Sequence, residues 1–466
     1  MKRIIHILLI LMTVISLSSC IEARREFTDH GEIYEDREWD LFPEGHLVDE
    51  PITISYWSAN SAVDHQGTTQ AQLVDQFNAM QRENYPDSPI KVVASFQGGY
   101  NTQNQKLQAA LMGNNNPEIA MIGISSLALY LDYAVDMREI FTYDEIRNIY
   151  EGFLQFAMYQ QKFVGYPYFA ATNAFIVNKT RWNQTGLPFP SIETIVNNPE
   201  ESIWTWEALK AAAEAMTVVE SDETKYGLAV NGIPIYESLF TQGVAPYDPI
   251  ATKAIFNNEA GLKAFTYWQN MAKNGYMGNP AEDPNHNTKI QAAFSSGDVG
   301  MLFASSSGFK VISEQVGDDF ELDVLPFPKV SNFYSNQSGG GLVIFNNKSK
   351  ARQKAAVEFL RWLQADEQVI QFAKTAGYLP STYSSIETQA WLDHVQTHPI
   401  LSQTIELMRI KLPKGLVVPS GRAKSLADIE FTNYSLGIFL DGTTRDPEVV
   451  LTDTYNRVNV ILRQNK

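Results

Sequence analysis

From residue 51 onward, apolar and polar positions alternate between two periods. Residues 52–57, ITISYW, are rich in β-branched and aromatic side chains and predict a short strand. In TTQAQLVDQFNAMQREN, Leu73, Phe77 and Met80 recur four and three residues apart, the spacing of one helical face. IKVVASF predicts a second strand, followed by a turn at Gly98-Gly99. NTQNQKLQAALMGNNN then predicts a helix stopped by Gly113 and a run of Asn. After Pro117, EIAMIGI is a third and more continuously apolar strand. Strand and helix in alternation indicate parallel βαβ units, so the expected class is α/β.

The alternation continues. FIVN near residue 175 predicts a strand. Thr205 is placed to cap WEALKAAAEAMT, whose Leu209, Ala212, Ala213 and Met216 form an apolar face. YGLAV is a strand, and NNEAGLKAFTYWQNMAKNG is a helix that Gly275 can end. VGMLFA and ELDVLPF are strands, and Gly339-Gly340-Gly341 leads into the strand LVIF. SKARQKAAVEFLRWLQA is strongly helical, and the C-terminal third is mostly helical, with loops at Pro413 and Pro419.

The first 50 residues follow neither pattern. Lys2 and Arg3 precede an apolar run from Ile4 to Leu17, broken only by His6, Thr13 and Ser16. Spanning a bilayer takes about 20 apolar residues, so the run reads as a secretory signal of residues 1–19. It ends in Leu17-Ser18-Ser19-Cys20, which resembles a bacterial lipobox. That resemblance implies lipidation of Cys20, with stable anchoring through more than one acyl chain. Residues 20–50 are expected to be a charge-rich tether, with Trp39, Leu41 and Phe42 available to dock on the body.

Composition narrows the function. The chain has 466 residues, 44% of them hydrophobic and 19% charged, which rules out disorder as the overall state. Its formal net charge of −17 argues against a reader of nucleic-acid phosphates. Cys20 is the only cysteine, so neither an internal disulfide nor a cysteine metal cluster can form. The triple glycine is followed by Leu342 rather than Lys, against a phosphate loop. His394 and His398 stand four apart, but without an adjacent Glu and with Pro399 next, they read as ordinary surface histidines. Acidic pairs such as Asp318-Asp319 read as solvated faces. No cofactor, metal or catalytic residue is expected.

Polar and aromatic residues instead gather at predicted strand ends. They are Trp57 with Ser58, Tyr100, Ser125 with Ser126, Phe169 with Asn173, Ser305 to Ser307, Gly340 and Tyr378. Ligands of open α/β sheets bind beyond the carboxyl ends of strands. A flat ring covers the C–H face of a sugar, and hydroxyls and amides meet its O–H groups.

In order and spacing, the chain resembles an extracellular solute-binding protein of an ATP-driven (ABC) importer, in the sugar-binding branch that includes maltose-binding proteins. The likeness is carried by QGGY with KLQAALMGNNNPEIAMI, by FVGYPYFAATNAFIVNKTRWNQTGL, and by TWEALKAAAEAM. FSSGDVGMLFASSSGF, the glycine-led strand and AGYLPS complete it. QGGY, AGYLPS and the serine-rich segment are similar to the glycerol-phosphate-binding branch. The resemblance implies a periplasmic-binding-protein type II fold of two α/β lobes with hinge crossovers and a helical C-terminal region. Lobe one is expected at 51–170 plus 325–370, and lobe two at 171–324 plus 371–460.

It also implies that Tyr100, Ser305 or Ser306, Gly340 and Tyr378 line the cleft. The branch's acidic position falls near Ile124, a cleft serine near Ala171, and its phosphate-pairing Arg near Ile429 or Glu430, with Arg422 as the available substitute. A desolvated phosphate calls for an Arg fork, so a neutral sugar or oligosaccharide is the expected guest. The implied partners are membrane permease subunits and a membrane reached through the lipid anchor, with no nucleic acid, and the chain is expected to be monomeric. Two rival readings are a lipid-anchored glycan-acting enzyme and an adhesive or structural surface lipoprotein on the same fold.

Overall fold

A computed structural model describes residues 41–61, 64–150, 154, 157–159, 162–219, 224–230, 232–278, 286–410, 423–440 and 445–464. The signal run, Cys20, Trp39 and Arg422 lie outside the described residues, as does the side chain of Ser125. Among the described residues no helix is long and apolar enough to cross a membrane.

Strand β1 (Ile52–Ser58) lies parallel to both β2 (Ile90–Phe96) and β3 (Ile119–Gly123). The crossovers are α1 (His65–Asn84) and α2 (Tyr100–Met112). Asp64 caps α1, its carboxylate accepting from the Gly67 N–H. Leu73 and Phe77 are buried as their spacing predicts, while Met80 is partly buried against the same core.

The chain then enters β4 (Tyr166–Asn178), far longer than the FIVN segment the sequence suggests. Helix α3 (Trp206–Met216) follows, with Thr205 Oγ1 accepting from the Ala208 N–H at 3.2 Å. Next come β5 (Leu228–Val230), α4 (Ile235–Phe240), β6 (Met301–Ser305), β7 (Leu322–Leu325) and β8 (Gln337–Ile344). The sheet order is β2-β1-β3-β8-β4-β6-β5, with β7 also on β4. The first half of β4 pairs antiparallel with β8, and its second half with β6 and β7. One strand thus stitches the two halves of the sheet together. The register slips between Gly340 and Gly341, which face Phe169 and Pro167. Pro167 has no N–H to give the ladder, and a bulge is where a strand tolerates that.

Side-chain alternation along β4 feeds two cores. Ile176 joins the one built on β1, β3, β8 and α5 (Lys350–Leu363), which continues beneath β6 through Leu302, Phe309 and Ile312. Phe175 and Val177 join the other, filled by Trp182, Trp204, Trp206 and Trp268 and closed by Phe431 and Leu451 of the C-terminal helices. Helix α6 (Asp366–Ala376) packs on α1, so the expected lobe boundary at 370/371 falls inside one helix.

Residues 42–48 strap onto the first core. Phe42, Leu47 and Val48 are buried, whereas Leu41 is 43% exposed. The Phe42 N–H donates to the Glu139 carbonyl at 2.7 Å, and the Lys350 ammonium sits 3.9 Å from the Phe42 ring centre. Glu358 accepts from the Leu47 N–H at 3.0 Å, and His46 stacks on Tyr85 at 3.8 Å.

Candidate functional site

A cleft of about 590 Å³ opens where β3, the start of α2, the middle of β4, the end of β6, the entry to β8 and the loop after α6 converge. Its size lies within the ~300–1,000 Å³ typical of small-molecule sites. Of the residues singled out in the sequence, Tyr100, Asn173, Ser305 and Tyr378 line it together, as does Ser126.

Tyr100 opens α2 after the Gly98-Gly99 turn, where Gly98 takes a φ of 101°. Its ring lies over Gly123 so closely that a Cβ there would stand 3.3 Å from it. The Tyr100 hydroxyl is buried and has no partner among the described residues. Burial, then the neighbouring Tyr378, pushes its pKa well up, so it stays a donor. Asn173 and Ser305 face each other across β4 and β6. Tyr378 follows Gly377, whose φ of 78° ends α6 in the left-handed region. Burial pushes the Tyr378 hydroxyl up to about 12.

Other singled-out residues stand behind the cleft. Phe169 is buried under Tyr378, ring centres 4.0 Å apart. Gly340 presses on Phe169, and its neighbour Gly339 takes the place in the lining. Ser306 is buried, and its Oγ accepts from the Thr172 N–H at 3.1 Å, tying β6 to β4. Trp57 stands on β1 opposite Ser95 and Ala120, packed partly buried on the first core and away from the lining. His394 and His398 lie far along the chain on one helix end, rings 4.3 Å apart, and His398 reaches Glu314 at 3.7 Å.

The structure adds cleft residues that sequence reasoning missed. Glu237 on α4 is 3% exposed and lines the cleft, with its Oε1 accepting from Asn173 Nδ2 at 3.1 Å. Burial pushes its carboxyl up, and its own backbone N–H and the amides of Asn173 and Asn336 work against that. Asp428 accepts from the Tyr236 hydroxyl at 2.7 Å, the Tyr247 hydroxyl at 2.8 Å and the Lys424 ammonium at 2.7 Å. Burial first, and the Asp428 charge second, raise both tyrosines and keep them donors. Gln337 gives its amide N–H to the Met408 carbonyl at 3.2 Å, leaving its Oε1 buried without a donor among the described residues. A signal for Glu237 and Tyr236 was available: IPIYESLF follows the strand YGLAV, at a strand end like the others. Lys424 and Asp428 gave none, since an i, i+4 pair usually marks a solvated face.

The family model described as bacterial extracellular solute-binding protein matches residues 72–400. The sn-glycerol-3-phosphate-binding periplasmic protein of Pectobacterium atrosepticum is 21% identical over 454 residues, covering 88% of this chain and 91% of that protein. Its counterpart in Escherichia coli is 22% identical over 455 residues, covering 88% and 93%. Among solved structures, the cyclic alpha-maltosyl-1,6-maltose binding protein of Arthrobacter globiformis superposes with a TM-score of 0.69 at 20% identity, over 89% of this chain and 100% of that one. UgpB from Mycobacterium tuberculosis in complex with glycerophosphocholine also gives 0.69, at 18% identity over 89% and 99%. The fold is that of the type II periplasmic binding proteins.

Proposed function

The chain belongs to the bacterial extracellular solute-binding protein family, and we propose that it captures a sugar or oligosaccharide in this cleft and hands it to the permease subunits of an ABC importer. The observation that carries the reading is the lining itself. Tyr100 and Tyr378 offer ring faces, while Asn173, Ser305 and the Tyr100 hydroxyl, unpartnered among the described residues, offer hydrogen bonds, from both halves of the sheet joined by β4. Such a lining suits sugar C–H faces and hydroxyls.

A phosphate fits less well. Lys424 is the one cation among the described lining residues, and Asp428 already holds it. The fork that a desolvated phosphate needs is therefore missing from the described wall.

Lobe one, on this reading, is the β1–β3 sheet with α5 and α6, and lobe two is the β5–β6 sheet with the C-terminal helices. The lobes close on the guest by flexing at β4 and its neighbours, and binding shifts the population toward closed. The chain binds and does not turn over its guest. It acts as a monomer, held to a bacterial envelope membrane by acyl chains on Cys20.

Calorimetry against a panel of mono- and oligosaccharides, with glycerol 3-phosphate alongside, tests the reading. Sugar binding with a smaller radius of gyration in X-ray scattering is expected. Hydrolysis of the sugar, no sugar bound, or glycerol 3-phosphate bound in preference would overturn it. For the anchor, Cys20→Ser should release the protein from the membrane fraction and abolish labelling by radioactive palmitate.

A further inference from the structure

Among the described residues the charges of the cleft do not balance, and the imbalance sits at Glu237. Asp428 and Lys424 neutralise each other, and Tyr236 and Tyr247 complete the bonds to that carboxylate. Glu237 has no such cation among the described residues, where it makes no ion pair and its donors are the neutral amides of Asn173 and Asn336 and its own backbone N–H. A buried carboxylate without a counter-charge is costly, and native proteins pair such groups or shift them toward the neutral form. The upward push on the Glu237 carboxyl agrees with this.

A second, independent vacancy points the same way. Gln337 is 5% exposed and lines the same cleft, and its Oε1 has no donor among the described residues. Among the described residues the site thus holds a carboxyl without a counter-charge and a surplus acceptor. A guest hydroxyl supplies one donor and no charge. A primary ammonium supplies three donors and the missing charge. The rings of Tyr236, Tyr334 and Tyr378 also line the cleft, and aromatic faces attract a cation.

We infer that Glu237 is the residue that reads the guest's charge, and that the guest is a sugar carrying a free primary amine. The inference rests on the proposed sugar-binding function and narrows it. On this basis Glu237 rejects phosphorylated and carboxylated sugars by like-charge repulsion. It discriminates against N-acetylated ones because they have lost the ammonium.

The test compares matched sets in the gluco, galacto and manno series, as monosaccharides and disaccharides. Each amino sugar is measured beside its hydroxyl and N-acetyl counterparts at about pH 6, where the amine is protonated. At least one amino sugar should bind tenfold or more tighter than both counterparts. Glu237→Gln keeps the shape of the side chain and removes its charge, and should bring that ratio to within about threefold, whatever it does to the affinity of the hydroxyl counterpart. Circular-dichroism melts check that the variant is folded. Neutral or N-acetylated sugars binding as well as the amino sugars in wild-type protein would overturn the inference without touching the sugar-binding reading. A preference that survives Glu237→Gln would overturn the role of Glu237. Binding of no sugar in any set would overturn both.

Discussion

Gly340→Ala is a single methyl group placed where the fold has no room for it. Its backbone is ordinary, so the effect is steric and not conformational. An added Cβ would stand 2.7 Å from Cζ and 3.1 Å from Cε1 of Phe169, and 3.2 Å from Cγ of Met121. Carbon pairs rest at about 3.5–4.0 Å, so the Phe169 ring must move by most of an ångström. It has nowhere to go. The ring is 1% exposed and is backed by Tyr378 at 4.0 Å, Phe372 at 5.2 Å and Tyr168 at 5.5 Å. Overpacking of this kind costs about 1–3 kcal/mol, read as a lower urea midpoint at unchanged slope.

The displaced ring also bears on Tyr378, so sugar affinity should fall severalfold. Phe169→Leu alone leaves a void and costs about 1 kcal/mol or more. In the Gly340→Ala background, however, Leu vacates the space the methyl needs. The double-mutant cycle should therefore show a favourable coupling of at least about 1 kcal/mol. Gly340→Ala within about 0.5 kcal/mol of wild type, or strict additivity with Phe169→Leu, would refute the packing argument.

Other outcomes follow from single contacts. Tyr100→Phe removes a hydroxyl that no group among the described residues uses, so stability should hold or rise slightly; sugar affinity should drop about five- to tenfold by calorimetry, the worth of one hydrogen bond of ~1 kcal/mol. Burial would raise Glu118, but donation from the Ser55 N–H at 2.7 Å, its Oγ at 2.8 Å and Arg352 at 2.7 Å outweighs it and holds the carboxyl below the ordinary range. Its contribution is complete above the unfolded value of about 4.3 and lost as pH falls through the lower folded value, so Glu118→Gln should flatten the acid side of the urea-midpoint profile. Burial, then His398, pushes His394 down to about 4. The unfolded chain takes up that proton first, so stability should fall between about pH 6.5 and pH 4, and His394→Leu should remove that slope. Glu358 holds the strap through the Leu47 N–H and His46, both at 3.0 Å; in Glu358→Ala, limited proteolysis near residues 41–50 should speed up, and an unchanged cleavage rate would show that the strap is held elsewhere.

What the sequence determined by itself was local. Period four-and-three burial of Leu73 and Phe77, the Thr205 cap, and the short strands before Gly98 and after Pro117 need only neighbouring residues, and all are present in the fold. The strand-end pattern also brought out Tyr100, Asn173, Ser305 and Tyr378, because strand ends become cleft walls wherever parallel strands share a sheet. The same pattern could not tell Ser305 from Ser306. β6 ends at Ser305 and the chain turns at Ser306, so Ser305 lines the cleft while Ser306 is spent on the Thr172 N–H. Nor could it place Trp57, whose ring went to the core.

Only tertiary structure decided the length of β4, since its first half becomes a strand through pairing with β8, about 170 residues later in sequence. Tertiary structure likewise buried Lys424, set the half-buried Asp428 against Tyr236 and Tyr247, and left Glu237 without a counter-charge among the described residues. Burial and pairing are properties of the assembled sheets and helices. The same side chains on an isolated helix would be solvated charges with no preference to express.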